Sequence, residues 1–130
     1  MPILNVKVSA RKSPEMTRAI SSTLLDLTTT ILRKNPAVTA IAIDYVDPAD
    51  WIVGGRTLAE QGKHSFYFDI KITDETNTKD EKARYIAAAF KAFAGLLGEL
   101  HEESYIHVED VRAASYGYGG KTQEYRYQHA

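Results

Sequence analysis

Apolar and polar residues alternate over Leu4-Asn5-Val6-Lys7-Val8, the pattern of a strand with one buried face. Ser13-Pro14-Glu15 then carries the signals of a helix start: a capping side chain, a proline suited to the first turn, and an acid at the positive helix end. Met16, Ile20, Leu24, Leu27 and Ile31 recur at steps of three and four, which lays one apolar stripe along that helix. Asn35-Pro36 predicts its end. Ile41 through Val46 reads as a second strand, Asp47-Pro48 as a turn, and Trp51-Ile52-Val53-Gly54-Gly55 as a glycine-ended hairpin arm.

The same order then returns. Phe68-Asp69-Ile70-Lys71-Ile72 repeats the first strand 64 positions on, and Thr78-Lys79-Asp80-Glu81 is a capping box. Ile86, Phe90, Phe93 and Leu97 match Ile20, Leu24, Leu27 and Ile31 at a spacing of 66. Ile106, Val108 and Val111 match Ile41, Ile43 and Val46 at 65, as Tyr116-Gly117-Tyr118-Gly119-Gly120 matches the Trp51 run.

The expectation is an α+β fold, one domain over 1–130 made of two pseudo-repeats, about 1–64 and 65–130. Each tandem β-α-β unit should place its two strands adjacent and parallel through a right-handed crossover. The units then join into a four-stranded mixed sheet with two helices on one face. The other face carries Asn5, Lys7, Asp69, Lys71, His107 and Glu109, with Ala40, Ala42, Tyr67 and Tyr105, and is either solvated or a subunit interface. A ferredoxin-like sheet has the same element order, but there another strand separates the two strands of each unit. In that case the chain is a small-ligand or partner-binding module, non-enzymatic or differently catalytic, in which Pro2 is incidental.

Composition narrows the partners. Sixteen basic and seventeen acidic residues give a net charge of -1, which lends no support to nucleic-acid or membrane-surface binding. The absence of cysteine excludes disulfides and thiolate catalysis and fits a reducing compartment, so a cytoplasmic location is expected. No apolar run approaches the roughly 18 residues of a spanning helix, and Met1-Pro2-Ile3-Leu4 does not read as a secretory leader.

Chemistry points first to Pro2. Trimming of Met1 would leave it a free secondary amine, and an α-amino group titrates near about 7.7–8.0 before burial or nearby cations lower it. Such a base takes a proton from a carbon acid and returns it elsewhere. His107 and Glu109 share a strand face without a third ligand, so no metal site is expected. Tyr116 and Tyr118 read as hairpin-fixing residues, and Tyr125-Arg126-Tyr127 with Lys121 as an interface tail.

Pro2-Ile3, the basic pair Arg11-Lys12 and Trp51-Ile52-Val53-Gly54-Gly55, in this joint spacing, resemble the tautomerase superfamily of 4-oxalocrotonate tautomerase relatives, in its fused, double-length form. The resemblance covers nearly the whole chain. It implies keto-enol interconversion of a small 2-keto or 2-hydroxydienoate carboxylate, with Pro2 as proton-transfer base, no cofactor and a homotrimeric assembly. The family's carboxylate-binding arginine falls at Lys12, with Arg11 beside it, and its active-site aromatic falls at Trp51. The second family arginine is missing: Ala40 and Tyr105 stand at its two positions, which leaves Tyr105, Arg56 and Arg112 to polarise a carbonyl. The arginine pair of the superfamily's haloacrylate dehalogenases is absent from 73–78, and Thr29 stands near their helix histidine, so dehalogenation is disfavoured.

Overall fold

The computed structural model describes residues 2–130, and the alternation at the chain start becomes β1 (Ile3–Val8), with Leu4, Val6 and Val8 buried and Asn5 and Lys7 exposed. The capping signals act as read. Ser13 Oγ accepts the Met16 N–H at 3.0 Å and starts α1 (Pro14–Thr30), which buries Ile20 and Leu24 against the strand. β2 (Ala40–Tyr45) then runs parallel to β1, with Leu4 opposite Ile41 and Val6 opposite Ile43. A short hairpin, β3 (Ile52–Val53) and β4 (Arg56–Thr57), leads into one turn of helix, α2 (Leu58–Gln61).

The second half follows the same plan. It comprises β5 (Phe66–Thr73), α3 (Lys79–Leu97), β6 (Tyr105–Val111), the hairpin β7 (Gly117–Tyr118) and β8 (Lys121–Thr122), and α4 (Gln123–Gln128). The Thr78–Glu81 capping box closes in both directions. The main sheet has the order β2-β1-β5-β6. The outer pairs are parallel and the central β1–β5 pair is antiparallel, with Val6 opposite Phe68 and Leu4 opposite Ile70. The fold is therefore α+β with a four-stranded mixed sheet. Adjacency of the two strands within each unit rules out the ferredoxin-like order.

Both long helices pack on one face, over a core of Leu4, Val6, Phe66, Phe68, Ile70 and Phe93. Burying each such side chain contributes about 1.5–3 kcal/mol. Phe66 and Phe93 stack at 4.0 Å, and Tyr85 meets Phe68 edge-on at 6.1 Å. One expectation needs correcting. Ile86 is 39% exposed, while Tyr85, Ala89 and Phe93 form the buried face of α3. They match Ile20, Leu24 and Thr28 at a spacing of 65, one less than the apolar pattern suggested. Tyr85 can occupy this face because its hydroxyl is satisfied by Thr28 Oγ1 at 2.8 Å. Among the described residues no helix is long and apolar enough to cross a membrane.

Candidate functional site

Pro2 is buried at the mouth of the central strand pair. Its carbonyl accepts the Ala40 N–H at 3.1 Å, which ties it to the start of β2. From the other half of the chain, Tyr116 donates its hydroxyl to the Lys71 carbonyl at 3.2 Å and also takes a bond from the Ile3 backbone. Burial raises the Tyr116 pKa, with the Ile3 backbone and Lys71 opposing the rise. Pro2, Ile3, Thr39, Tyr116, Gly117 and Tyr118 line a hollow of about 470 Å³ with no charged side chain among the described residues that line it. An amine placed there loses hydration, which favours its neutral form.

The hairpin beside Pro2 is tight. A Cβ on Gly117 would lie 2.0 Å from the Lys121 carbonyl oxygen, so only glycine fits between the two strands. Gly119 and Gly120 turn the hairpin at φ of 63° and 79°.

The other expected residues lie elsewhere in the chain. Arg11 and Lys12 are exposed beyond the far end of β1, around a hollow of about 350 Å³ with Ser9, Tyr45, Asp47 and His64. The six residues of β1 separate them from Pro2, about 20 Å of strand. Trp51 and Tyr105 meet in a third hollow of about 600 Å³ with Arg56, His101 and Glu103. Within one chain, then, Trp51 and Tyr105 come together, Arg11 and Lys12 sit side by side, and neither pair meets Pro2.

The reason is the antiparallel junction of the two halves. Trp51 matches Tyr116 and Tyr105 matches Ala40, each 65 positions apart, so the third hollow is the second half's equivalent of the Pro2 hollow. The residue matching Pro2 at that end is Phe66, an internal residue whose ring enters the core. Tyr105 donates its hydroxyl to the Glu103 carboxylate, and that bond raises its pKa. Arg56 faces Glu60 at 4.0 Å, and Arg112 is exposed ahead of a 3-10 turn, Ala113–Ser115. His107 and Glu109 lie on the face away from the helices, where Lys71 sits 3.1 Å from Asp69 and 3.4 Å from Glu109. Among the described residues no group of three or more acids and histidines could hold a metal.

Sequence reading missed the residues that do surround Pro2. Tyr116 and Tyr118 form its wall, and a neighbouring hollow of about 370 Å³, also bounded by Tyr118, contains Lys34, Gln123 and Arg126. A signal was present. At a spacing of 65, Leu58 becomes Gln123 and Gln61 becomes Arg126, two changes toward polarity and charge in a turn where Ala59 and Glu60 also become Glu124 and Tyr125.

No protein-family model matches the chain. The protein named Probable tautomerase K2, from Dickeya dadantii (strain 3937), is 30% identical over 66 residues, which span 47% of this chain and 92% of that protein. Among solved structures, Pt0534 inactivated by 2-oxo-3-pentynoate superposes with a TM-score of 0.82 at 15% identity, covering 95% of this chain and 98% of the other. A wild-type fused 4-OT, described as a symmetric trimer, superposes with a TM-score of 0.79 at 20% identity, covering 94% and 96%.

Proposed function

The chain belongs to the tautomerase superfamily as a fused, double-length member, and on that premise we propose that it is an isomerase-type enzyme using Pro2 as its proton-transfer base. The substrate class is a small 2-keto or 2-hydroxydienoate carboxylate. In the enol-to-keto direction the Pro2 nitrogen takes the enol O–H proton, charge moves to carbon through the conjugated system, and the same nitrogen returns the proton to that carbon. No cofactor enters this balance. The observation that carries the reading is the burial of Pro2 under an apolar, tyrosine-walled hollow, where desolvation would favour the neutral form of a free secondary amine.

The reading requires removal of Met1, a residue outside the described ones. Arg11, Lys12, Trp51 and Tyr105 contribute substrate contacts only where a neighbouring copy brings them to Pro2. We therefore place them at subunit boundaries of a homotrimer, the assembly named for the fused 4-OT. The polar sheet face would pack toward the trimer centre. A cytoplasmic setting and the two-repeat organisation, 1–64 and 65–130, belong to the same proposal.

Two measurements test it together. Intact-mass analysis of the purified protein should find Met1 removed. Pro2→Ala should lower turnover of 2-hydroxymuconate or phenylenolpyruvate at least tenfold, about 1.4 kcal/mol of transition-state stabilisation, with an unchanged circular dichroism spectrum. Retained Met1, or unchanged turnover, removes Pro2 from the mechanism.

A further inference from the structure

Among the described residues no cationic side chain lines the hollow over Pro2, yet the proposed substrate is an anion. On the other side of Tyr118 lies the hollow of about 370 Å³, lined by Arg33, Lys34 and Arg126. Lys34 donates from Nζ to Thr76 Oγ1 at 2.8 Å, and among the described residues no carboxylate lies within ion-pair distance of it. Arg126 stacks its guanidinium 3.9 Å from the Tyr118 ring centre and donates Nη2 to the Tyr118 carbonyl at 2.9 Å. Its Nε is buried with no partner among the described residues, and it too lacks a carboxylate. Arg33, by contrast, is committed to Glu81 at 2.7 Å.

A third group points the same way. Gln123 is only 7% exposed, its Oε1 has no partner among the described residues, and its Nε2 is 3.5 Å from Thr73 Oγ1. Turning the amide over lets the Thr73 hydroxyl donate to Oε1 and frees both Nε2 hydrogens for an acceptor.

Comparison of the two halves separates structural need from surplus. Gln123 donates its N–H to the Tyr116 carbonyl, just as Leu58 does to Trp51. Arg126 binds the Tyr118 carbonyl, just as Gln61 Nε2 binds the matching Val53 carbonyl at 2.9 Å. Leucine and glutamine therefore suffice to build this corner. The buried amide and the guanidinium are additions made on the Pro2 side. At the remaining position, Lys34 is matched by Glu99, a reversal of charge. Burial, then the charge of Arg33, lowers the Lys34 pKa against the opposing influence of Glu81 and Asp110, and a bound anion would add to that opposition.

We infer that Lys34 and Arg126, with Gln123, form a carboxylate-binding subsite next to Pro2, the substrate passing the edge of Tyr118 to reach the amine. The subsite rests on the proposed function for its substrate and for the role of Pro2, but its test does not depend on turnover.

The probe is malonate, with neutral malonamide as control, titrated calorimetrically into wild type, Lys34→Met, Arg126→Gln and Pro2→Ala. Arg126→Gln installs the residue that already supports the matching corner, so the hairpin should survive. Lys34→Gln replaces Lys34→Met if the latter fails to fold. Malonate should bind wild type more tightly than malonamide, and its Kd should rise at least tenfold in each cation variant while changing less than twofold in Pro2→Ala. With 2-hydroxymuconate, the cation variants should raise KM at least tenfold and alter kcat less than threefold. Equal binding of malonate and malonamide, or a malonate Kd unchanged in both cation variants, overturns the subsite. Unchanged turnover in Pro2→Ala with malonate binding still lost in the cation variants overturns the proline mechanism and leaves the subsite standing.

Discussion

Tyr85→Phe tests how much the buried hydroxyl pair at the helix seam contributes to stability. Tyr85 and Thr28 are both fully buried, and their hydroxyls are 2.8 Å apart where α3 crosses α1. Deleting the phenol oxygen strands the Thr28 hydroxyl. A buried polar group left unpaired costs about 1–3 kcal/mol, but a helical threonine can swing onto the carbonyl four residues back, so the low half of that range, about 1–2 kcal/mol, is expected. Thr28→Val strands the phenol instead, which has no helix carbonyl to turn to, and should cost about 2–3 kcal/mol. The double variant leaves no orphan and should recover about 1–2 kcal/mol relative to additivity. For a chain of this size each kcal/mol is about 3–5 °C in Tm, so Tyr85→Phe should melt about 3–10 °C lower. The assay is urea and thermal unfolding of all four proteins at one protomer concentration, because assembly would otherwise shift the midpoints. Burial pushes the Tyr85 pKa from 10.0 up to about 12, so the wild-type advantage should be complete below pH 10 and fade as pH rises toward 12. A neutral Tyr85→Phe, or costs that add within about 0.5 kcal/mol in the double variant, would mean that neither hydroxyl depends on the other.

Glu81 is held well below the usual carboxylate range, to about 2, chiefly by the Thr78 backbone N–H and then by Asn77 and Arg33 against the effect of burial. Its stabilising effect is therefore present above about pH 4.5 and lost as pH falls toward 2, so Glu81→Gln should lower Tm at pH 7 and have little effect at pH 2.5; an equal loss at both would reject the linkage. Gly117→Ala should lower both Tm and kcat/KM at least tenfold for the latter, because the new methyl meets Lys121 backbone, whereas Ile52→Ala at the matching position should leave kcat/KM within threefold. Changing Arg11 and Lys12 together to Ala should raise KM for 2-hydroxymuconate without a matching fall in kcat, and an unaltered KM removes the pair from substrate binding.

The strands and the first helix were readable because each has one buried face, which imposes a period of two or of three to four on the residues. The helix starts were readable because Ser13 and Thr78 cap by local bonds that need no tertiary partner. The register of α3 was not. Ala87-Ala88-Ala89 fits either face, and Tyr85 counts as apolar only once Thr28 is there to take its hydroxyl. The site was legible only in part for a topological reason. Pro2 could be singled out by position, but linear matching assigned it the aromatic of its own half. The antiparallel β1–β5 pairing exchanges the ends, so Tyr116 and Tyr118 stand over Pro2 while Trp51 is carried to the far side.

That exchange also explains where the two halves differ most. An approximate two-fold relation through the β1–β5 pair gives two similar corners, each made from one half's strand start and the other half's hairpin. Only one corner begins with a residue that can supply an amine, since its counterpart Phe66 is internal and stacked on Phe93. If the corners served packing alone, their differences would be scattered and volume-conserving, because an interior tolerates exchange of like for like. Instead, leucine becomes glutamine at 58 and 123, glutamine becomes arginine at 61 and 126, and Lys34 stands against Glu99. Each of these puts polarity or positive charge on the Pro2 side, although Ala59 against Glu124 adds a negative charge there, and Gln123 carries a buried amide oxygen with no partner among the described residues. Lys34, Gln123 and Arg126 line one hollow bounded by Tyr118, a placement that suits the anionic substrate we propose for the Pro2 corner.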